Sequence, residues 1–185
     1  MAPSFDQVRL QTPRLSLRPQ QDSDAQALFA IFSDPQATRY LSHLRWSTLE
    51  QAHEALVRDA LARAAGEILR LAVELAGQSG LVGQCLLFNF ERVSRRAEVG
   101  YILAPAHWGR GYMHEALHAL LDFGFSTLEL SRVEAEIDPR NAASARSLER
   151  LGFVKEGHLR GRWTVGGETS DSGLYGLLAR DWRGR

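Results

Sequence analysis

Trp108-Gly109-Arg110-Gly111-Tyr112-Met113-His114-Glu115-Ala116 is the stretch that decides how this chain is read. Two glycines stand directly before a segment in which Met113, Leu117, Leu120, Leu121 and Leu128 recur at helical spacing. The pattern is a tight turn opening into a helix. The first amides of a helix have no carbonyl within the helix to bond, and the helix dipole adds positive potential, so they form a receptor for a phosphate-like anion. Glycine lets that anion come close to the main chain. Just upstream, Arg96–Leu103 reads as a strand with Glu98, Gly100 and Ile102 on one face and Ala97, Val99, Tyr101 and Leu103 on the other. Strand, glycine turn and helix together predict a phosphorylated ligand.

Toward the N-terminus, Arg14-Leu15-Ser16-Leu17-Arg18 alternates and stops at Pro19, which predicts a first strand. Asp22 or Asp24 is placed to cap a helix carrying Ala27, Leu28, Ile31 and Phe32, and a further short helix is predicted to reach Leu41. Ser47 or Thr48, followed by Glu50 or Gln51, opens a helix running to about Ala65 and closed by Gly66. Leu69, Leu71, Val73 and Leu75 alternate, and the 77–80 turn leads into the apolar run 81–90, a hairpin. Toward the C-terminus, Val133, Ala135 and Ile137 alternate with Glu134 and Glu136. A helix follows over 141–151, closed by Gly152, and two strands over 153–165 and 171–179 are joined at Gly166-Gly167. The order is that of a mixed α/β (α+β) chain forming one domain over 1–185.

Composition narrows the function classes. The formal net charge is zero, so no net basic field gathers nucleic acid or an anionic membrane, and neither is an expected partner. Lys155 is the only lysine, leaving arginine as the cation available for phosphate. The single cysteine, Cys85, lies in an apolar run, which fits a buried strand residue and a reducing compartment. No basic-then-apolar leader opens the sequence and no run approaches about 18 apolar residues, so a cytoplasmic location is expected.

Strand, glycine turn, helix, then strand, Asn141, helix and Gly152-Phe153 together resemble the GNAT superfamily of N-acetyltransferases, in the branch of the ribosomal-protein (Rim-type) enzymes. The opening Gln11-Thr12-Pro13-Arg14-Leu15-Ser16-Leu17-Arg18-Pro19 resembles that branch. So do Ala97-Glu98-Val99-Gly100-Tyr101, Asn141-Ala142-Ala143-Ser144 with Leu151-Gly152-Phe153, and the tail from Asp171 to Asp181-Trp182. The resemblance implies a splayed, mostly antiparallel central sheet with flanking helices, and acetyl-CoA as co-substrate without a metal. It assigns the backbone of Ile102 and Leu103 to the thioester and pantetheine arm. Gly109, Arg110, Gly111, Tyr112, Met113 and His114 take the pyrophosphate, and Asn141 the pantetheine end. Trp108 stands where the family usually has glutamine or arginine, and Met113 where it usually has glycine or alanine.

The implied reaction transfers an acetyl group to a primary amine, such as a protein N-terminus, an amino acid or a small amine, by direct attack in a ternary complex. A protonated amine cannot attack, and Glu98 is the expected general base, being on the strand face of Gly100 and Ile102. A backbone N–H near Ile102 or Leu103 would hold the oxyanion. Many family members place a tyrosine where Leu148 stands. Ser144 is therefore the expected donor to the departing thiolate, with Tyr175 as an alternative. The segment 34–66 would shape the acceptor pocket, Trp46 lying at its mouth. Two rival readings remain. One is a non-catalytic acyl-CoA-binding sensor. The other is a zinc hydrolase, because His114-Glu115-Ala116-Leu117-His118 matches the His-Glu-x-x-His pattern. His43, His53, His107 and His158 have no ligand spacing.

Overall fold

The computed structural model describes residues 4–182. Eight strands form one sheet: β1 (Leu10–Gln11), β2 (Leu15–Pro19), β3 (Leu69–Leu75), β4 (Leu81–Glu91), β5 (Arg96–Leu103), β6 (Arg132–Ile137), β7 (Val154–Val165) and β8 (Glu168–Leu178). Their spatial order is β1-β2-β3-β4-β5-β6-β8-β7, and every neighbouring pair is antiparallel except β5–β6. Five helices join them: α1 (Ala25–Ser33), α2 (Glu50–Ala64), α3 (Tyr112–Ser126), α4 (Ala142–Arg150) and α5 (Ala179–Trp182).

Strand alternation divides the helices between two faces. Ala97, Val99 and Leu103 of β5 pack with Met113, Leu117, Leu120 and Leu121 of α3 and Leu148 of α4, forming the larger core. Ile102, Ala72 and Leu81 pack on the other face with Leu28, Ile31 and Phe32 of α1 and Leu56 of α2. Burying such side chains fully is worth about 1.5–3 kcal/mol each, which is why the period-2 and period-3.6 patterns find one another. Cys85 has no exposed surface and burial pushes its thiol up to about 12, so it carries no thiolate.

Three local expectations are corrected. Asp24 does not cap α1 with its side chain. Its carboxylate instead holds Arg18 through two bonds of 2.8 Å and accepts from the Gln21 amide at 2.9 Å. The predicted short helix toward Leu41 is a run of turns. Asp34 Oδ1 takes the amides of Gln36 and Ala37, both at 2.8 Å, and Thr38 donates its hydroxyl to the Asp34 carbonyl, so local bonds displace the helical ladder. At the start of α2, Gln51 Oε1 receives the amides of Ser47 and Thr48, and Leu49 is the cap residue. The short β1 and α5 have no counterpart in the sequence reading.

Candidate active site

Gly109 and Gly111 have φ of 74° and 77°, the left-handed conformation the sequence implied, and Gly111 is the residue from which α3 starts. The first helical bond runs from the Glu115 amide to the Gly111 carbonyl at 3.1 Å. Among the described residues, no main-chain acceptor is paired with the amides from Gly109 to His114. A Cβ at Gly109 would meet nothing within 4 Å, so glycine there serves conformation and leaves open space over the turn. Met113 turns its side chain into the core, so the methionine leaves the turn uncrowded. The His114 ring is drawn below its usual pKa by burial and by the Arg150 and His118 charges, which keeps it neutral near pH 7.

Beside the turn the sheet opens. β5 and β6 pair only from Arg96–Arg132 to Glu98–Glu134, and beyond that rung they part. The Ala104 amide donates to the Val82 carbonyl (2.9 Å) while Ile102 lies opposite Gln84. By the alternation of an antiparallel ladder, even-numbered residues of β5 therefore spend their amides and carbonyls on β4. Odd-numbered ones face β6, as the Ser131 amide on the Arg95 carbonyl (2.7 Å) shows at the start of the strand. Past the rung, the groups lining the slot are those of Tyr101 and Leu103. The main-chain groups of Ile102, by contrast, are turned to β4. Trp108 donates its indole N–H to the Leu103 carbonyl at 2.8 Å, tying the turn to the strand end and leaving the Leu103 amide open.

The titratable candidates lie on opposite faces of this slot. Glu98, at the last paired rung, is on the α1/α2 face and accepts from Asn89 Nδ2 at 3.0 Å. Glu136 shares that face, one strand period past Glu134, where β6 still pairs with β8 but no longer with β5. Its Oε1 accepts from Ser172 (2.6 Å), Trp163 (2.7 Å) and Arg162 (3.2 Å). Partial burial works to raise its pKa, but these three donors hold it below the usual carboxylate range. Over this face the 35–49 segment crosses the slot. The Tyr40 ring lies under the Arg140 guanidinium (5.9 Å), and a Cβ at Gly166 would stand 3.4 Å from Leu44. On the α3/α4 face, the Tyr101 hydroxyl meets Ser144 Oγ at 2.7 Å. Ser144 is buried, and burial pushes Tyr101 up to about 12 against the opposing hydrogen bond from Ser144. Asn141 caps α4 by accepting the Ser144 amide (3.1 Å).

The turn and the open strand edge lie within a stretch of chain that has known relatives. The acetyltransferase (GNAT) domain model matches residues 14–154. The chain belongs to the GNAT family. It is 33% identical over 175 residues to the uncharacterized N-acetyltransferase p20 of Bacillus licheniformis, covering 95% of this chain and 98% of that one. It is 34% identical over 98 residues to the [ribosomal protein uS5]-alanine N-acetyltransferase of Escherichia coli, covering 51% and 50%. Among solved structures it is similar to Mycobacterium smegmatis RimJ in complex with CoA-disulfide, with a TM-score of 0.86, 26% identity and coverage of 97% and 91%.

In this N-acetyltransferase the fold carries Trp108 of the turn onto the Leu103 carbonyl, and Ser144, whose amide Asn141 caps, onto the Tyr101 hydroxyl, while Glu98 stands at the last β5–β6 rung. Tyr175 sits in the larger core opposite Ala135. Trp46 stacks on Phe32 at 4.4 Å, a packing role in the α1/α2 layer. The zinc reading loses its glutamate, because Glu115 is bonded by Thr12 (2.6 Å) and by Arg14 Nε (2.6 Å). No third ligand joins His114 and His118 among the described residues. Sequence reasoning gave no role to the side chain of Tyr101, placed only on a strand face and in the family motif, nor to Glu136, placed only in the alternation of its strand. Strand parity with Glu98 was the one signal that pointed to Glu136. No helix among the described residues is long and apolar enough to cross a membrane.

Proposed function

We propose that this GNAT enzyme moves an acetyl group from acetyl-CoA to a primary amine by direct attack, with the diphosphate on the 109–114 turn and the pantetheine arm along Tyr101 and Leu103. The observation that carries the reading is the run of unpartnered amides beside an open, half-paired strand edge. Extended ligands add to such edges through main-chain bonds. Arg110 supplies a further cation at the turn, and Asn141 keeps its amide nitrogen to donate to the arm. The acceptor amine enters from the α1/α2 face beneath the 35–49 segment, where Glu98 takes its proton directly or through a water. The Leu103 amide stabilises the oxyanion as the tetrahedral intermediate forms. On the opposite face Ser144 protonates or hydrogen-bonds the leaving thiolate while Tyr101 fixes its hydroxyl. Cys85 is buried and protonated, so no acyl-enzyme on it is part of the scheme.

The acceptor is an amine of a protein N-terminus, an amino acid or a small molecule. The relative named for an alanine of uS5 supports the first of these. Thiol release from acetyl-CoA, measured against free-N-terminus peptides, amino acids and polyamines, tests the proposal. Activity on one class and loss of turnover with retained CoA binding in Glu98→Gln are expected. CoA binding without acetylation of any amine would favour a sensor instead.

A further inference from the structure

Glu115 lies in the first turn of α3, beside the amides assigned to the diphosphate. A carboxylate there draws on the same positive potential that a diphosphate needs. Its two oxygens are nevertheless fully engaged from the β1–β2 turn. Thr12 Oγ1 donates to Oε1 at 2.6 Å, the Arg14 amide donates to Oε1 at 3.0 Å, and the Arg14 guanidinium reaches Oε2 at 2.6 Å. Arg14 Nη1 also donates to the carbonyl of Arg110, inside the turn, at 3.0 Å, and the guanidinium lies over the Tyr112 ring at 4.9 Å. A Cβ at Gly111 would stand 3.5 Å from Arg14 Nη2, so the arginine is packed against the residue that starts the helix. Thr12 and Arg14 are part of the opening motif for which the chemistry so far has no use.

We infer that Arg14 is a positioning residue for the cofactor. It neutralises Glu115 and pins the Arg110 carbonyl away from the ligand, so that the turn presents amides to a diphosphate without a competing charge. Glu115 is ionised in this arrangement. Although partial burial acts to raise its pKa, the bonds from Thr12 and Arg14 hold it below the usual range. Arginine suits the task better than lysine because one planar fork serves the carboxylate and the carbonyl together. The inference rests on the placement of the diphosphate proposed above.

The test is CoA binding by calorimetry, with KM and kcat for acetyl-CoA and for S-acetylpantetheine, which lacks the diphosphate. Arg14→Gln should weaken CoA binding about tenfold and raise KM for acetyl-CoA, with kcat at saturation kept, because one uncompensated charge now faces the phosphates. Its KM for S-acetylpantetheine should match the wild-type value. Arg14→Gln/Glu115→Gln should recover most of the CoA affinity, a rescue that a purely structural role for the pair would not give. Unchanged CoA binding in Arg14→Gln would overturn the inference. So would an equal loss with S-acetylpantetheine, or a double variant no better than the single one. Failure of the wild-type protein to bind CoA would instead overturn the placement on which the inference rests.

Discussion

Replacing Tyr101 by phenylalanine removes one atom from the thiolate side of the slot, and its consequences can be worked out before measurement. The lost bond is the 2.7 Å contact to Ser144 Oγ, in a site where Ser144 is 9% exposed. Stranding a buried hydroxyl costs about 1–3 kcal/mol. For a chain of this size that lowers the melting temperature by about 2–12 °C. The kinetic effect is separate. A positioned general acid contributes about 10²- to 10⁴-fold, so Ser144→Ala should lower kcat by about a hundredfold. Tyr101→Phe leaves the serine in place but frees its rotation, for which a loss of about tenfold is expected. KM for acetyl-CoA should hold in both variants, since neither side chain contacts the phosphate turn. The informative assay is single-turnover acetyl transfer, comparing acetyl-CoA with an acetyl thioester of a more acidic thiol. A leaving group that needs less help should shrink both defects. A Tyr101→Phe enzyme with wild-type kcat, or a defect that persists undiminished with the acidic thiol, would refute proton delivery through this pair.

Glu98→Gln should lower kcat at neutral pH by about 10²-fold. Glu136→Gln should act chiefly on acceptor KM, because a carboxylate held below its usual pKa is a poor proton acceptor and a good partner for an ammonium; rates against acceptor concentration separate the two. Gly109→Ala forces a left-handed alanine at a cost of about 1–2 kcal/mol, so calorimetry should show CoA binding weakened by at least about thirtyfold at the upper end of that cost, without any clash inside the protein itself. Gly111→Ala carries the same left-handed cost, its methyl group standing in ordinary contact 3.5 Å from Arg14 Nη2, so a loss of similar size is expected. Tyr101 makes stability depend on alkaline pH. Its folded pKa of about 12 exceeds the unfolded value of about 10, so its contribution is whole below pH ~10 and is lost as pH rises toward 12. Denaturant titrations across that window should fall more steeply for the wild type than for Tyr101→Phe. Glu136 has the opposite sign: its folded pKa is lowered, so its contribution is present above pH ~4.3 and lost as pH falls further, a slope that Glu136→Gln should flatten.

The glycine turn was legible because only glycine takes the left-handed conformation freely, and Gly109 and Gly111 adopt it. The strands were legible where alternation was strict, as in β3 and β5. What escaped was set by distant partners. Whether Ile102 or its neighbours face the slot depends on the register between β4 and β5, and that register is fixed by bonds such as Ala104 to Val82. Glu115 looked like half of a metal motif until the fold carried Arg14, 101 positions away in sequence, onto it. The helix expected toward Leu41 failed for a local reason, since Asp34 and Thr38 satisfy the backbone of the turns themselves.

A crystal structure of the protein with CoA is the most direct test of the phosphate-turn reading. Diphosphate oxygens should lie within hydrogen-bonding distance of the amides between Gly109 and His114, with the pantetheine arm beside Tyr101 and Leu103. A diphosphate seated elsewhere, or an arm that leaves the edge of β5 untouched, would contradict it.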